Sequence, residues 1–485
     1  MAQEETCSVK YEPVIGLEVH AQMLTDTKIF CGCSTKFGSG PNTQTCPVCI
    51  GMPGVLPVLN RKVLEFTVKT GLAAGCSISL SSRFARKNYF YPDLPKGYQI
   101  SQYELPICEH GHIDIVVDGA VRKIGITRIH MEEDAGKNIH EAGGNCSFVD
   151  LNRAGVPLME IVSEPDMKSP QEAVEYMKKL RAVLRYLGVC DGNMEQGSLR
   201  CDANVSVRPE GRKELGVKVE IKNINSFKFV EKALDYEIRR QIKALADGQK
   251  IIQETRLWNT ERGVTEPMRG KEEAHDYRYF PDPDLVPMVV EKEWIEEIKA
   301  SLPELPDVKQ ERFVKDYGLS EYEASILTEE INTADFYEKI IAEGGNPKIL
   351  RSGIITGIFG YMNQHGKTLG DLPIKPVHLV NLSRMVETAE VSGTMAKTAV
   401  LFEMLDTGKM PEEIIKDKGL SQISDKEEIE KTVDDVLARN LKEVERFKTG
   451  EEKLMGFFVG QIMKLSKGKA NPQIVNELLK RKLSS

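Results

Sequence analysis

Up to about Trp294 the apolar residues return at every second position in short segments, the period of a strand with one face buried. In Ile15–Gln22, Leu17, Val19 and Ala21 fall on one side, and Glu18, His20 and Gln22 on the other. Gly125–Glu133 gathers Arg128, His130 and Glu132 on its polar side. Leu199–Arg208 sets Arg200, Asp202, Asn204 and Ser206 against an apolar face, and Val217–Asn223 does the same with Lys218, Glu220 and Lys222. Helical spacing breaks in at Ser169-Pro170-Gln171-Glu172. This is a capping box with proline in the first turn, ahead of Val174, Met177, Leu180, Val183, Leu184 and Leu187 and closed by Gly188. It predicts a helix covering one side of the sheet.

Beyond Leu302-Pro303-Glu304-Leu305-Pro306, a stiff connector because proline disfavours helix at the residue before it, the texture becomes helical. Ser424 with Glu427 opens an apolar stripe of Ile429, Val433, Val436 and Leu437. Asn471-Pro472 opens another of Ile474, Val475, Leu478 and Leu479. The glycine-bearing stretch Leu454–Lys469 between them carries no assigned element. The chain has 485 residues, too many for one core, so the expectation is an α+β protein of about three domains.

Hydrophobic content of 41% and charged content of 28% are those of a globular protein. The beginning of the sequence is acidic with no apolar run, and no segment approaches the roughly 20 apolar residues of a membrane helix. The expectation is a cytoplasmic chain without membrane contact. A net charge of −8 argues against nucleic acid, yet the last 25 positions carry six cations, Lys464, Lys467, Lys469, Lys480, Arg481 and Lys482, against the single acid Glu477. That end is either a nucleic-acid contact or a solvated tail.

Chemistry enters through the polar faces. A single such strand is explained by a sheet with one wet face. Four that share His, several carboxylates, Arg and Lys instead predict a floor for phosphoryl transfer, since carboxylates suit Mg²⁺ and cations suit phosphates. Arg128, Arg200, Glu220 and Lys222 are the candidates for holding a nucleotide. Glu160, inside the apolar run Val156–Val162, needs a partner such as a metal ion or Arg153. Arg83–Asp93 interleaves cations with aromatics, as an unpaired nucleotide end requires, although aromatics at this density also build cores. Cys31-Gly32-Cys33 and Cys46-Pro47-Val48-Cys49 have the two-pair spacing of a closed structural Zn²⁺ site. Disulfides are the alternative there, disfavoured by the compartment. No Walker A loop precedes Gly366-Lys367-Thr368, because Tyr361 stands where its first glycine belongs, and no nucleophile has the setting needed to split glutamine.

These residues resemble the B subunit of aspartyl/glutamyl-tRNA(Asn/Gln) amidotransferase from about Tyr11 to the end. The matching stretches are Val14–His20, Arg86–Asp93, Tyr98–Gln102, Met131–Lys137, Val149–Arg153, Ile161–Asp166, Ser198–Asn204 and Asp276–Pro281. The resemblance implies a cradle domain over residues 1–300, a helical domain over 301–412 and a small helical tail similar to the YqeY family over 413–485. It implies ATP-dependent activation of the Glu or Asp side chain on tRNA(Gln) or tRNA(Asn), with ammonia from an amidase A subunit and a small C subunit completing a heterotrimer. It places the Mg²⁺ and catalytic site on Glu18, His20, Glu132, Glu160 and Asp202, with Lys87 as a phosphate or ammonia contact. Two other readings stay open: a non-catalytic tRNA-binding protein on the same cradle, and a freestanding ATP-dependent amide ligase.

Overall fold

The computed structural model describes residues 9–140, 146–268, 277–422, 426–466 and 469–483. The chain divides into two compact units, Met1–Leu305 and Pro306–Ser485, the division falling in the proline-bounded connector.

The first unit is built on a nine-stranded sheet of β1 (Tyr11–Gln22), β2 (Ser77–Ile78), β3 (Cys108–Val117), β4 (Ala120–Glu133), β5 (Pro157–Ser163), β6 (Leu199–Pro209), β7 (Val219–Ile224), β8 (Thr255–Asn259) and β9 (Val264–Pro267). Its order is β9-β8-β7-β6-β1-β5-β4-β3-β2. The β3–β4 hairpin turns on Asp118 and Gly119, both at positive φ (53° and 76°), which is the demand of a type I′ turn and the reason for an Asp-Gly pair there. Every pairing is antiparallel except β7 with β8. A parallel pair needs a long crossover, and the helix α3 defined below supplies it.

The apolar side of this sheet, with Leu17, Val19, Met131, Ile161, Cys201, Ala203 and Ile221, is buried in one continuous core. Helices α1 (Arg61–Ala73), α2 (Pro170–Tyr186) and α3 (Phe227–Ala246) cover it. The expected cap of α2 forms, with Ser169 Oγ accepting from the Glu172 N–H at 3.1 Å. The Glu172 carboxylate does not close the box on Ser169; it accepts from the Lys168 N–H at 2.5 Å and pairs with Arg122 on β4 at 3.0 Å. With the helices on one side, the other side of the sheet is left to the charged residues.

The elements described in the second unit are helices, and they hold two separate cores, one drawn from Phe313–Ile415 and one from Ile429–Leu483. The stretch left unassigned in the sequence contains a helix, Leu454–Leu465, in which Phe458 and Ile462 reach the last core while Gly456 and Gly460 have open space around them. The glycines hid a helix whose buried stripe is short. The Ser424 cap lies outside the described residues; the helix it was to open runs Lys426–Arg439, and the last helix, Pro472–Leu483, begins at the Asn471 side chain as expected. No helix among the described residues is long and apolar enough to cross a membrane.

Candidate active site

Strand register lines the charges into rows. His20 on β1 stands opposite Arg200 on β6 and Glu160 on β5, and Glu160 stands opposite His130 on β4. One step along, Glu18 faces Asp202, and Glu132 faces Leu158. A small sheet of Ala85–Asn88 with Tyr98–Ser101 and Phe280–Pro281 adds Lys87, Gln99 and Ser101 to the same space. The result is a cavity of about 620 Å³ walled by Glu18, His20, Lys87, Arg128, Glu132, Glu160, Arg200, Asp202, Glu220 and Lys222. All ten sequence-derived site residues outside the cysteine cluster therefore meet in one place.

Within it the carboxylates fall into three settings. His20 Nε2 lies 3.5 Å from Glu160 and 3.7 Å from Glu132, and His130 Nε2 lies 3.5 Å from the same Glu160. One ligand atom each from His20, Glu132 and Glu160 can be chosen within 4.8 Å of one another. Glu18 and Asp202 stand outside this trio: Glu18 accepts from the Asn204 amide at 2.9 Å and Asp202 pairs with Lys222 at 2.8 Å. Lys222 also reaches Glu220 at 3.1 Å.

The partner expected for Glu160 was a metal or Arg153. Arg153 instead donates to the carbonyls of Ala135 and Gly136 and lies 3.7 Å from Asp134, while the two histidines take its place. Burial raises the cost of ionising Glu160, but His130, the hydrogen bond from His20 and the Lys87 ammonium outweigh it and hold the carboxyl well below the usual range. Burial and the neighbouring Glu160 charge push Glu132 up to about 7. Burial pushes His130 down to about 4. Burial opposes the charge on Lys87 too, yet Glu132, Tyr279 and Glu160 raise it above its ordinary value, so it is an ammonium. Two buried carboxylates that cannot both ionise comfortably beside one imidazole fit a divalent cation, which would relieve the repulsion. Among the described residues, the buried Arg128 Nε, Arg200 Nε and His130 Nδ1 find no partner, which suits a cavity shaped for a polyanionic ligand.

Several participants escaped the sequence reading. Asp134 continues the alternation of β4 two places past Glu132; it accepts from Gln22 at 2.8 Å and pairs with Arg200 at 2.9 Å, which orients that guanidinium. Ser101 Oγ lies 3.4 Å from Glu132, and Gln102 accepts from the Met131 N–H at 3.0 Å. The Arg83–Asp93 segment divides instead of forming one surface: Phe84 is core, Arg86 pairs with Asp282 and Asp284 at 2.8 and 2.7 Å, and Lys87 and Tyr89 line the cavity.

Away from the cavity, one sulfur each of Cys31, Cys33, Cys46 and Cys49 lies within 4.8 Å of the others, and all four thiols are free. The loop is tied down by the Val149–Arg153 stretch: Asn42 N–H donates to Asp150 at 3.0 Å, Gln44 N–H to Asn152 at 2.8 Å, and Asn152 to the Gly40 carbonyl at 2.7 Å. Lys28, fully buried, sits 3.6 Å from the Cys49 sulfur. The neighbouring Cys31 thiol, the Cys46 backbone and Lys28 hold Cys49 down to about 4 against burial, while burial pushes Cys33 up to about 11. Four thiolates need a dication, and the buried ammonium offsets part of the excess negative charge that would remain.

Residues 13–296 match the family described as GatB/GatE catalytic domain, and residues 335–483 that described as GatB domain. The chain is 63% identical over 471 residues to a Thermodesulfovibrio yellowstonii protein named as the B subunit of aspartyl/glutamyl-tRNA(Asn/Gln) amidotransferase, covering 97% of this chain and 99% of the other. Proteins of the same name from Thermoanaerobacter sp. and Geobacter sulfurreducens are 57% and 56% identical, each over 98% of this chain and 100% of its own length.

Proposed function

The chain belongs to the family of aspartyl/glutamyl-tRNA(Asn/Gln) amidotransferase B subunits, ligases of translation that form carbon–nitrogen bonds, and from this we propose that its charged cavity is where the amide is made. The observation that carries the proposal is the buried trio His20, Glu132 and Glu160 flanked by Lys87 and unpartnered arginine nitrogens in one cavity. A cradle that only bound tRNA would have no use for two carboxylates buried against each other.

In this reading a Mg²⁺ ion is held by His20, Glu132 and Glu160, and supplies charge neutralisation for the transferred phosphoryl group when bound. Arg128, Arg200 and Lys222 take the ATP phosphates, Asp134 keeping Arg200 in place and Asp202 and Glu220 steadying Lys222. The side-chain carboxylate of the tRNA-borne Glu or Asp takes the γ-phosphoryl group, releasing ADP. Ammonia then attacks the acyl carbon and phosphate leaves. Lys87, buried beside Glu132 and Glu160, offers its ammonium to phosphate oxygens. The cysteine cluster holds a structural Zn²⁺. Ammonia comes from an amidase A subunit, with a small C subunit completing the complex, because the sequence has no glutaminase centre.

Amidation of Glu-tRNA(Gln) and Asp-tRNA(Asn), with glutamine or free ammonia, tests this. The complex should use glutamine and consume ATP with each amide formed, and the chain by itself should not use glutamine. Amide formation without ATP would sink the reading.

We assign tRNA contact to the last domain. Its cations are partly answered from within: Arg481 pairs with Glu430, Lys482 with Glu430 and Asp434, and Lys426 with Glu477, while Lys467 lies outside the described residues. Removing the chain from Asp425 onward, a segment with its own core, should weaken tRNA binding and lower the slope of log K against log salt by about one for each phosphate no longer neutralised. An unaltered slope in filter binding would make the segment a solvated appendage.

A further inference from the structure

Four tyrosines, Tyr89, Tyr103, Tyr277 and Tyr279, line the cavity with its charges. Tyr89 meets Tyr277 edge-on, with centroids 6.1 Å apart and planes at 69°, and Tyr277 meets Tyr279 in the same way at 6.0 Å and 75°. Edge-on contacts of this kind are ordinary packing. Tyr103 and Tyr279 differ: their centroids are 4.2 Å apart and their planes only 7° from parallel. Both line the cavity, and Tyr103 is 50% exposed, so part of this stacked pair is open to solvent.

Neither ring hangs on a loose loop. Tyr103 follows Gln102, which is buried, accepts from the Met131 N–H and donates to Ser82 at 2.5 Å. Tyr279 precedes the short strand Phe280–Pro281, and Asn88 donates to the carbonyls of Tyr277 and Arg278 at 3.1 and 2.9 Å. Arg278, between the two tyrosines, is at φ 44°, a left-handed conformation that a non-glycine residue seldom adopts unless its surroundings fix it. A flat, preset aromatic layer and cations lining one cavity match the two ends of a nucleotide, a π-face and phosphates.

We propose that the Tyr103–Tyr279 pair is a stacking platform for an adenine ring of a substrate. This rests on the reading of the cavity as the ATP-dependent amidation site. Two substrates of that reaction present adenine, ATP and the 3′-terminal adenosine of the tRNA that carries the amino acid. The base stacks on the outer face of Tyr103, which is stiffened from behind by Tyr279. The tyrosine hydroxyl has no part in this, so phenylalanine should serve as well.

The test uses the assembled complex with Tyr103→Ala, Tyr103→Leu and Tyr103→Phe. Equilibrium dialysis measures a non-hydrolysable ATP analogue, and filter binding measures tRNA with and without its 3′-terminal adenosine. Alanine and leucine should weaken one of the two interactions about tenfold or more, and phenylalanine should restore it. A loss confined to the ATP analogue assigns the platform to the nucleotide. A loss confined to intact tRNA, and missing with tRNA that lacks the adenosine, assigns it to the acceptor end. Leucine keeps apolar volume, so it decides the matter if the alanine variant melts early. Wild-type affinity for both ligands in the leucine variant overturns the platform. Absence of ATP-dependent amidation by the wild-type complex in the same preparation would instead overturn the reading of the cavity, which keeps the two failures apart.

Discussion

Glu132→Gln should lower amidation of misacylated tRNA about a hundredfold while leaving tRNA affinity within a factor of two, on the order of what is lost when one group that stabilises transition-state charge is removed. The substitution preserves shape and removes the negative charge from a buried position facing His20 at 3.7 Å and Ser101 at 3.4 Å. Glutamine hydrolysis, which the proposal gives to the A subunit, should continue, so a reconstituted complex would release ammonia while forming amide only at that residual rate. The sign of a pH effect follows as well. Burial and then Glu160 push the Glu132 carboxyl up to about 7 when no cation is present, so a proton competes with the divalent ion below that value. Burial lowers the His20 pKa but Glu160 and Glu132 raise it by more, so His20 takes up a proton in the same range; Mg²⁺ affinity should fall by about tenfold or more for each pH unit below 7, and the Gln variant should keep only the His20 part of that dependence. Measuring glutaminase, tRNA-driven ATP consumption and amide in one preparation checks all of this. A variant that amidates at the wild-type rate would reduce the charged floor to the wet face of a sheet.

Cys49→Ser should release the metal and lower the melting midpoint by roughly 10 °C, since each kcal/mol moves the midpoint of a large domain by about 2–4 °C and a structural site is worth several kcal/mol. Turnover at a permissive temperature should change far less. The two effects separate because none of the four cysteines lines the charged cavity, while the loop they close is tied by Asn42, Gln44 and Asn152 to the strand region that follows the β4 end of the site. Lys28→Met should destabilise the metal-loaded protein as well, by leaving the thiolates without the buried ammonium 3.6 Å from Cys49. Metal analysis should return about one zinc per chain. Metal-free protein with an unchanged midpoint would show that the cluster is not a structural centre.

Much of the site was readable because a strand has a period of two. Alternation alone put Glu18 with His20, Arg128 with His130 and Glu132, Arg200 with Asp202, and Glu220 with Lys222, and these pairs share the observed cavity. Partner choice was not readable, because it is set by cross-strand register. Glu160 was offered Arg153 from its neighbourhood in the chain, whereas register delivers His20 and His130, from strands on either side of it in the sheet. The same holds for Asp134. It sits at the end of β4, and only the fold brings Arg200 from β6 to it.

The helices show the converse. Ser169 and Asn471 marked helix starts because a cap is local chemistry, a side-chain oxygen meeting an amide two or three residues on. Leu454–Leu465 went unassigned because glycines at 456 and 460 weaken helix propensity, and the burial of Phe458 and Ile462 against other helices overrides that weakness.

What the sequence by itself determined were local properties: which residues share a strand face, where helices begin, and that four cysteines spaced as two pairs close on one point. The tertiary structure decided which faces meet. It put β1 between β5 and β6, and so drew His20, Glu132 and Glu160 into a buried trio while Asp202 and Glu220 went to Lys222 and Glu18 to Asn204. Residues more than a hundred positions apart become neighbours only after hydrophobic burial has fixed the register of the sheet. A one-residue slip of any one of these strands would turn its charges into the core, and that cost is what holds the register.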